Sequence, residues 1–268
     1  MKTDMKPIGI FDSGIGGLTV AHAITQSMPE ENIIYFGDTA HLPYGDKSPA
    51  TIQAYSVKIA HMLLQQQCKM ILIACNSAST AAYELIREYV GSKAIVMNVV
   101  DPTVQFLREQ YANKKIGLIG TRQTVNSNVY KKKIDDLNSG IQLTSHPTNL
   151  LASAIEEFGN NGVTDSLVEE YLSAAALQNI DALLLACTHY PVVKHKIAAF
   201  FQHKVAIIDP SVAVANAVKA RLLEENLLNT KGGGTRQFYV SDYTESFASG
   251  TKIFFQEDIK LEHYPLWE

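Results

Sequence analysis

The chain has 268 residues, 46% of them hydrophobic, with 23 basic and 27 acidic side chains and a formal net charge of −4. This length supports a substantial core, in one large α/β domain or two small ones, and the scattered basic residues exclude a broad surface for nucleic acid. Residues 1–6 lack the charged-then-apolar order of a secretory signal, and no apolar stretch reaches the roughly 18 residues of a membrane span. We therefore expect a cytoplasmic protein that binds neither nucleic acid nor membrane.

Short runs of Ile, Val and Leu alternate along the chain with longer segments of helical period. This pattern is typical of a parallel sheet covered by helices. Between the second and third runs, for example, residues 51–64 place Ile52, Ile59 and Leu63 on one helical face and predict an amphipathic helix. The predicted strands, in chain order, are residues 8–11, 32–36, 70–74, 94–98, 115–119, 141–144, 182–186, 205–208 and 237–240.

Polar loops follow the first two predicted strands. Asp12 and Ser13 precede a glycine-rich turn, residues 14–17, whose backbone N–H groups can approach a carboxylate or phosphate. The turn matches neither the P-loop nor the dinucleotide-binding pattern, so it does not imply a nucleotide. Asp12 is interpreted as an aid to a cysteine, a partner of a substrate ammonium group, or a simple turn residue. Residues 37–45 are interpreted as a pocket lining or an ordinary turn.

Two strand ends share an approximate repeat. Residues 70–77 and 181–189 each read as a buried strand that ends in Ala-Cys and continues with small polar residues. Ligands bind outside the carboxyl ends of the strands in open parallel sheets, so Cys75 and Cys187 lie where chemistry is expected. A buried cysteine can be a simple hydrophobe, but two in matching positions favour a chemical role. The start of a following helix predicts a lowered pKa and a base at both positions.

The repeat also predicts the domain organisation. We expect two similar α/β lobes, each a parallel sheet with helices, and an active site in the cleft between them. The first lobe is predicted to comprise residues 1–97 plus 210–268, and the second residues 98–209. His189, two residues after Cys187, is interpreted as a group that tunes or protonates that thiol or protonates a leaving group, or as a structural histidine. Cys68 lacks such neighbours and is interpreted as structural.

Taken together, the motifs resemble glutamate racemase, within the wider aspartate/glutamate racemase group. They occur in the order and at the spacing of that family. The matching blocks are residues 12–18, 37–40, 43–45, 74–76 and 186–191, with a weaker match at Gly120, Thr121 and Thr124.

This resemblance implies racemisation of glutamate without a cofactor and without a metal, to supply D-glutamate for peptidoglycan. Cys75 would remove the α-proton of D-glutamate and Cys187 that of L-glutamate, with Asp12 supporting Cys75 and His189 supporting Cys187. We expect a homodimer, since symmetric dimers are the commonest oligomers. The residues implied to contact the substrate are Asp12, Ser13, Pro43, Tyr44, Gly45, Asn76, Ser77, Thr188 and His189, with Thr121 and Thr124 as additions.

The sequence departs from the family at three places. Ser77 stands where threonine is usual and His41 where arginine is frequent, and residues 145–156 follow the family's pattern only loosely. Glu156 in that segment is a candidate support for the second base. Specificity for glutamate rather than aspartate therefore stays open.

Other classes of function use the same residues differently. A single cysteine nucleophile is one alternative, although the residue six positions after Cys75 is Ala81 rather than the arginine of tyrosine phosphatases. A metal site built from Cys75, Cys187 and His189 is a second, without the paired C-x-x-C spacing of structural zinc. A non-catalytic two-lobed amino-acid binder is a third, and it would have no use for two opposed thiols.

Overall fold

The computed structural model describes residues 3–159 and 161–268, which fold into two parallel sheets flanked by helices. The first sheet has the strand order β10-β9-β2-β1-β3-β4 and the second the order β6-β5-β7-β8. The strands are β1 (Ile8–Asp12), β2 (Ile33–Gly37), β3 (Met70–Ile73), β4 (Ile95–Asn98), β5 (Lys115–Gly120), β6 (Gln142–Pro147), β7 (Ala182–Ala186), β8 (Ala206–Ile208), β9 (Arg236–Val240) and β10 (Leu261–His263).

Helices connect most of these strands. Short 3₁₀ helices at Thr39–His41, Tyr44–Asp46 and Tyr190–Val193 shape the connections that follow β2 and β7. The α-helices are α1 (Leu18–Ser27), α2 (Pro49–Gln65), α3 (Asn76–Val90), α4 (Val100–Gln110), α5 (Arg122–Asn126), α6 (Val129–Asp136), α7 (Leu151–Phe158), α8 (Gly162–Leu172), α9 (Lys194–Phe200), α10 (Ser211–Glu224) and α11 (Glu245–Phe255).

The predicted α/β class and all the predicted strands are confirmed. The central strands β1, β2, β3 and β7 are buried along their whole length, as expected for strands covered by helices on both faces. The largest difference at a strand end is in β6, which continues to Pro147. The structure adds β10, which the sequence did not predict, and confirms the helix across residues 51–64 as part of α2.

The two sheets draw on different parts of the chain. The second sheet uses four consecutive strands, β5 to β8, whereas the first combines β1 to β4 with β9 and β10. Helix α10 packs against α1, on the side of the first sheet. The lobe boundaries at residues 97/98 and 209/210 stay a prediction.

Both sheets place two adjacent strands next to the candidate site. In the first sheet β1 pairs with β3, and in the second β5 pairs with β7. Because all pairings are parallel, the carboxyl ends of each pair lie at the same edge of its sheet. None of the helices in the described residues is long and apolar enough to cross a bilayer.

Candidate active site

Cys75 occupies the junction between β3 and α3. It is the N-cap of α3, and its sulfur accepts a hydrogen bond from the Ala78 backbone N–H at 3.4 Å. The thiol in turn donates to Ser13 Oγ at 3.6 Å. Only 5% of the residue is exposed. Burial, and then the negative charge of Asp12, raise the pKa of Cys75 from 9.0 to about 12, against the lowering effect of the Ala78 and Ser13 hydrogen bonds.

The predicted lowering of the pKa is therefore wrong for Cys75. The helix start does supply a backbone N–H, as predicted, but removing the thiol from water disfavours its charged form more strongly than one N–H favours it. Cys75 is a thiol at neutral pH in this structure. Its pKa also responds to charge on Cys187, so the two cysteines lie within electrostatic reach of one another.

Cys187 follows β7 directly and is 7% exposed. Its sulfur lies 3.8 Å from His189 Nδ1. Pro191 occupies the first turn of a short 3₁₀ helix, Tyr190–Val193, and α9 begins only at Lys194. The segment after Cys187 therefore begins with a 3₁₀ helix instead of the expected α-helix. The side chain of His189 contacts the Cys187 sulfur.

A histidine and a glutamate extend the site behind Cys187. His189 Nε2 lies 2.9 Å from Glu156 Oε2, and the side chains are 7% and 13% exposed. Phe254 packs edge-on against the imidazole, with 5.2 Å between ring centroids. Burial lowers the pKa of His189, but the Cys187 and Glu156 side chains outweigh it and raise that pKa well above 6.5. The histidine is therefore held as an imidazolium that can donate from both nitrogens.

The loop after β1 packs against His189 and Thr188. Asp12 is fully buried, accepts a hydrogen bond from the Gly14 N–H at 3.1 Å, and receives the Thr188 hydroxyl at 3.5 Å. Burial raises the pKa of Asp12, although the positive charge of His189 opposes the shift. The N–H of Gly14 therefore serves the carboxylate of Asp12 rather than the external anion expected from the sequence. A Cβ at Gly16 would lie 2.4 Å from His189 Nδ1, so only glycine lets the loop approach this closely.

Loops from the two sheets meet across the site. Ser77, at the start of α3, is hydrogen-bonded to Thr121 Oγ1 at 2.8 Å, and Thr121 caps α5. A Cβ on Gly45 would lie 2.7 Å from Thr121 Cβ, so a glycine allows this approach of the two loops. Thr124 is buried behind Thr121, to whose Oγ1 it is joined at 3.1 Å.

These elements enclose a cavity of about 30 Å³, roughly the space of one water molecule. A molecule the size of an amino acid requires the surrounding loops to move apart before it can enter. Asp12 and Thr124 do not contribute to the lining and lie behind it. The predicted site residues that line the cavity are Ser13, Pro43, Tyr44, Gly45, Cys75, Asn76, Ser77, Thr121, Cys187, Thr188 and His189.

Comparisons with known proteins identify the family of this chain. Residues 18–218 match the sequence profile of a family described as Asp/Glu/Hydantoin racemase. The chain belongs to the Asp/Glu/hydantoin racemase family. A glutamate racemase of Chlorobium phaeobacteroides is 39% identical over 259 residues, 96% of this chain and 95% of the relative. One from Neisseria meningitidis is 40% identical over 244 residues, 90% of each chain.

A solved structure of this racemase family shows the same fold. The glutamate racemase from Francisella tularensis, described in complex with D-glutamate, superimposes with a TM-score of 0.90 and 40% sequence identity. The comparison covers 98% of this chain and 99% of that chain.

This member of the racemase family also has site residues that the sequence did not reveal. These are Leu42, Ala152 and Ser153, which complete the lining beside Glu156, the residue that the sequence analysis named as a candidate support for the second base. Tyr130 is buried behind the site and donates its hydroxyl to Asn76 Oδ1 at 2.7 Å. Its only sequence signal is that of an aromatic residue on an amphipathic helix, which predicts core packing rather than support of a site. Within the part of the chain that the structure describes, the site included, no group of three or more His, Cys, Asp or Glu side chains is arranged to hold a metal ion.

Proposed function

We propose that this protein is a glutamate racemase that interconverts L- and D-glutamate without a cofactor, by proton transfer to and from Cys75 and Cys187. The observation that carries the proposal is the presence of two thiols, one from each sheet, in the lining of one small cavity. Inversion of a stereocentre by proton exchange needs a base on one side and an acid on the other, and two opposed thiols provide both.

The protonation states support a defined starting point for the reaction. Burial and the charge of Asp12 favour the thiol of Cys75. The imidazolium of His189 has Nδ1 3.8 Å from the Cys187 sulfur and can direct its Nδ1–H toward it. In our proposal, the Cys187 thiolate takes the α-proton of L-glutamate, so that the C–H bond breaks and an S–H bond forms. The Cys75 thiol then gives its proton to the opposite face of the same carbon, which produces D-glutamate and a Cys75 thiolate.

The reverse reaction uses the same groups in opposite roles. The Cys75 thiolate takes the α-proton of D-glutamate, and the Cys187 thiol protonates the other face. Asp12 and His189 are proposed to support Cys75 and Cys187 respectively. The negative charge that develops on the substrate needs fixed donors in a site that excludes water. Side-chain donors available in the lining are Ser13, Asn76, Ser77, Thr121 and Thr188.

The N-terminus of α3 offers a place for a substrate carboxylate. Asn76 and Ser77 begin the helix, where unpaired backbone N–H groups and the helix dipole favour negative charge. Pro43, Tyr44 and Gly45 are proposed to contact the substrate from the other side of the cavity. Thr124 is proposed to act through Thr121, since it lies behind the lining.

We further infer the cellular setting and assembly of the enzyme. We propose that it works in the cytoplasm, supplies D-glutamate for peptidoglycan, and forms a homodimer, the commonest symmetric assembly. The division into lobes of residues 1–97 plus 210–268 and 98–209 is supported by the different parts of the chain from which the two sheets are built.

The test is proton NMR of the purified protein in D₂O with L-glutamate, D-glutamate and L-aspartate in separate samples, with optical rotation followed in parallel. We expect loss of both the glutamate α-proton signal and the rotation. The Cys75→Ala and Cys187→Ala variants are expected to abolish racemisation. Cys68→Ala, which removes another buried thiol away from the cavity, should retain it.

Each alternative result has a definite meaning. Substantial turnover in Cys75→Ala or Cys187→Ala would overturn the two-base assignment. Exchange with L-aspartate in preference to glutamate would overturn the substrate, and exchange with neither would overturn the proposed function as a whole.

A further inference from the structure

Residues 264–268, here called the strap, cross the first sheet toward the active-site loop. Strand β10 pairs in parallel with β9, and the Tyr264 N–H donates to the Val240 carbonyl at 2.9 Å. Because β9 pairs with β2, a segment leaving the carboxyl end of β10 passes the ends of β9 and β2. The strap therefore reaches the loop that follows β2, which contains the cavity-lining residues Leu42 to Gly45.

The carboxylate of Asp38 joins the strap to this loop. Asp38 is fully buried. It accepts hydrogen bonds from Trp267 Nε1 at 2.8 Å, from the Ser241 hydroxyl at 2.8 Å and from the Tyr44 hydroxyl at 2.6 Å, and His41 Nδ1 lies 3.1 Å away. These partners come from the strap, the end of β9 and the active-site loop itself. Hydrogen bonds to a charged, buried acceptor are among the strongest in proteins.

Aromatic contacts add to this connection. The Trp267 ring lies edge-on to His41, with centroids 4.5 Å apart, and to Tyr55, with centroids 5.3 Å apart. His41 in turn stacks on Tyr55 at 4.0 Å, and Lys58 Nζ lies 4.5 Å above the indole. Trp267 thus contacts the loop through its ring as well as through its N–H group.

We propose that Trp267 and Asp38 are positioning residues, which hold Pro43, Tyr44 and Gly45 in the geometry that binds substrate. The inference rests on the proposed function, which places those three residues against the substrate. Tyr44 is the connecting residue, since it is one of the residues that line the cavity and its hydroxyl is held by Asp38. The strap therefore fixes the side of the cavity that this loop forms.

Steady-state kinetics of Trp267 variants test this role. Trp267→Ala removes both the N–H donor and the ring, and we expect KM for D- and L-glutamate to rise about tenfold. We expect kcat to change by no more than about twofold, because loss of binding shared by ground and transition state raises KM alone. Trp267→Phe keeps a ring against His41 and Tyr55 but loses the donor, so its KM should lie between those of Trp267→Ala and wild type. Phe200→Ala, a half-exposed aromatic residue on α9, is the matched control.

An unchanged KM in Trp267→Ala would overturn the inference. So would a fall in kcat and in Tm with KM unchanged, because that pattern describes a residue that only stabilises the fold. Failure of the proposed function is seen separately, as absence of racemisation in the wild type.

Amide hydrogen exchange provides a measurement that does not depend on activity. We expect residues 39–47 to exchange faster in Trp267→Ala than in wild type, while exchange in Phe200→Ala stays unchanged there. Equal exchange in wild type and Trp267→Ala would overturn the positioning role even if the enzyme proved to act on another substrate.

Discussion

The contact between Glu156 and His189 leads to a quantitative prediction for Glu156→Gln. Glutamine keeps the shape of the side chain and an oxygen that can accept from His189 Nε2 at the observed 2.9 Å, but it removes the charge. A hydrogen bond to a charged partner contributes about 1.5–3 kcal/mol, against about 1 kcal/mol for a neutral pair. A loss of about 1.4 kcal/mol in the transition state corresponds to roughly a tenfold fall in kcat/KM.

The assay follows racemisation from both enantiomers. L- and D-glutamate have equal free energies in solution, so the fall in kcat/KM must be the same in the two directions, even though His189 is next to Cys187 alone. Glu157→Gln, at the exposed neighbouring position, is the control and should behave as wild type. Wild-type kcat/KM in Glu156→Gln would refute the assignment of Glu156 as the support of His189.

The same variant should alter the pH dependence of stability. The pKa of His189 is raised above 6.5 because Cys187 and Glu156 outweigh the lowering effect of burial. Its protonation therefore stabilises the folded state fully below pH 6.5, and this stabilisation is lost as the pH rises through the raised pKa. The Tm of Glu156→Gln should fall furthest below that of wild type just below pH 6.5 and approach it at alkaline pH. A Tm difference that is constant with pH would contradict this account.

Two further substitutions test other parts of the structure. Gly45→Ala would place a Cβ 2.7 Å from Thr121 Cβ, and overpacking of about 1–3 kcal/mol should lower kcat/KM about tenfold. The control is Gly162→Ala, whose Cβ would have no atom within 4 Å. Equal kcat/KM of the two variants would refute the importance of the close approach between Gly45 and Thr121. Lys69→Met removes the ion-pair partner that lies 2.6 Å from the buried carboxylate of Glu31. Calorimetry should then show a Tm lower by roughly 10 °C. An unchanged Tm would show that the ion pair does not stabilise the fold.

Strands that are buried along their whole length could be predicted from the sequence, whereas the three-residue strand β10 could not. β1 and β7 are continuous apolar runs, which only a covered parallel strand explains well. β10 has a single buried residue, Leu261, between exposed neighbours. Three residues are too few for a period of two to be recognised, and its pairing depends on the position of β9.

For the site, the residues at strand ends could be predicted from the residues themselves, whereas Glu156 was a candidate only through the family resemblance. Cys75 and Cys187 carry a local signal, because each follows a buried strand directly. Glu156 lies on α7 with the apolar pattern of an ordinary surface helix, and only the packing of that helix brings it to His189. The wrong prediction for the pKa of Cys75 has a similar cause, since burial depends on the whole cavity and a helix start is visible in the local sequence.

The order of the strands has a consequence for the growing chain. β5 to β8 are consecutive, so their sheet can assemble during synthesis, which proceeds from the N-terminus at about 5–20 residues per second. β2 is buried in the finished protein but has an unpaired edge until β9 is made, and exposed apolar edges promote aggregation. A nascent chain that contains both Cys75 and Cys187 still lacks Ser241 and Trp267, two of the hydrogen-bond donors to Asp38. The loop that follows β2 therefore gains these two hydrogen bonds only after residue 267 has been synthesised, long after both cysteines.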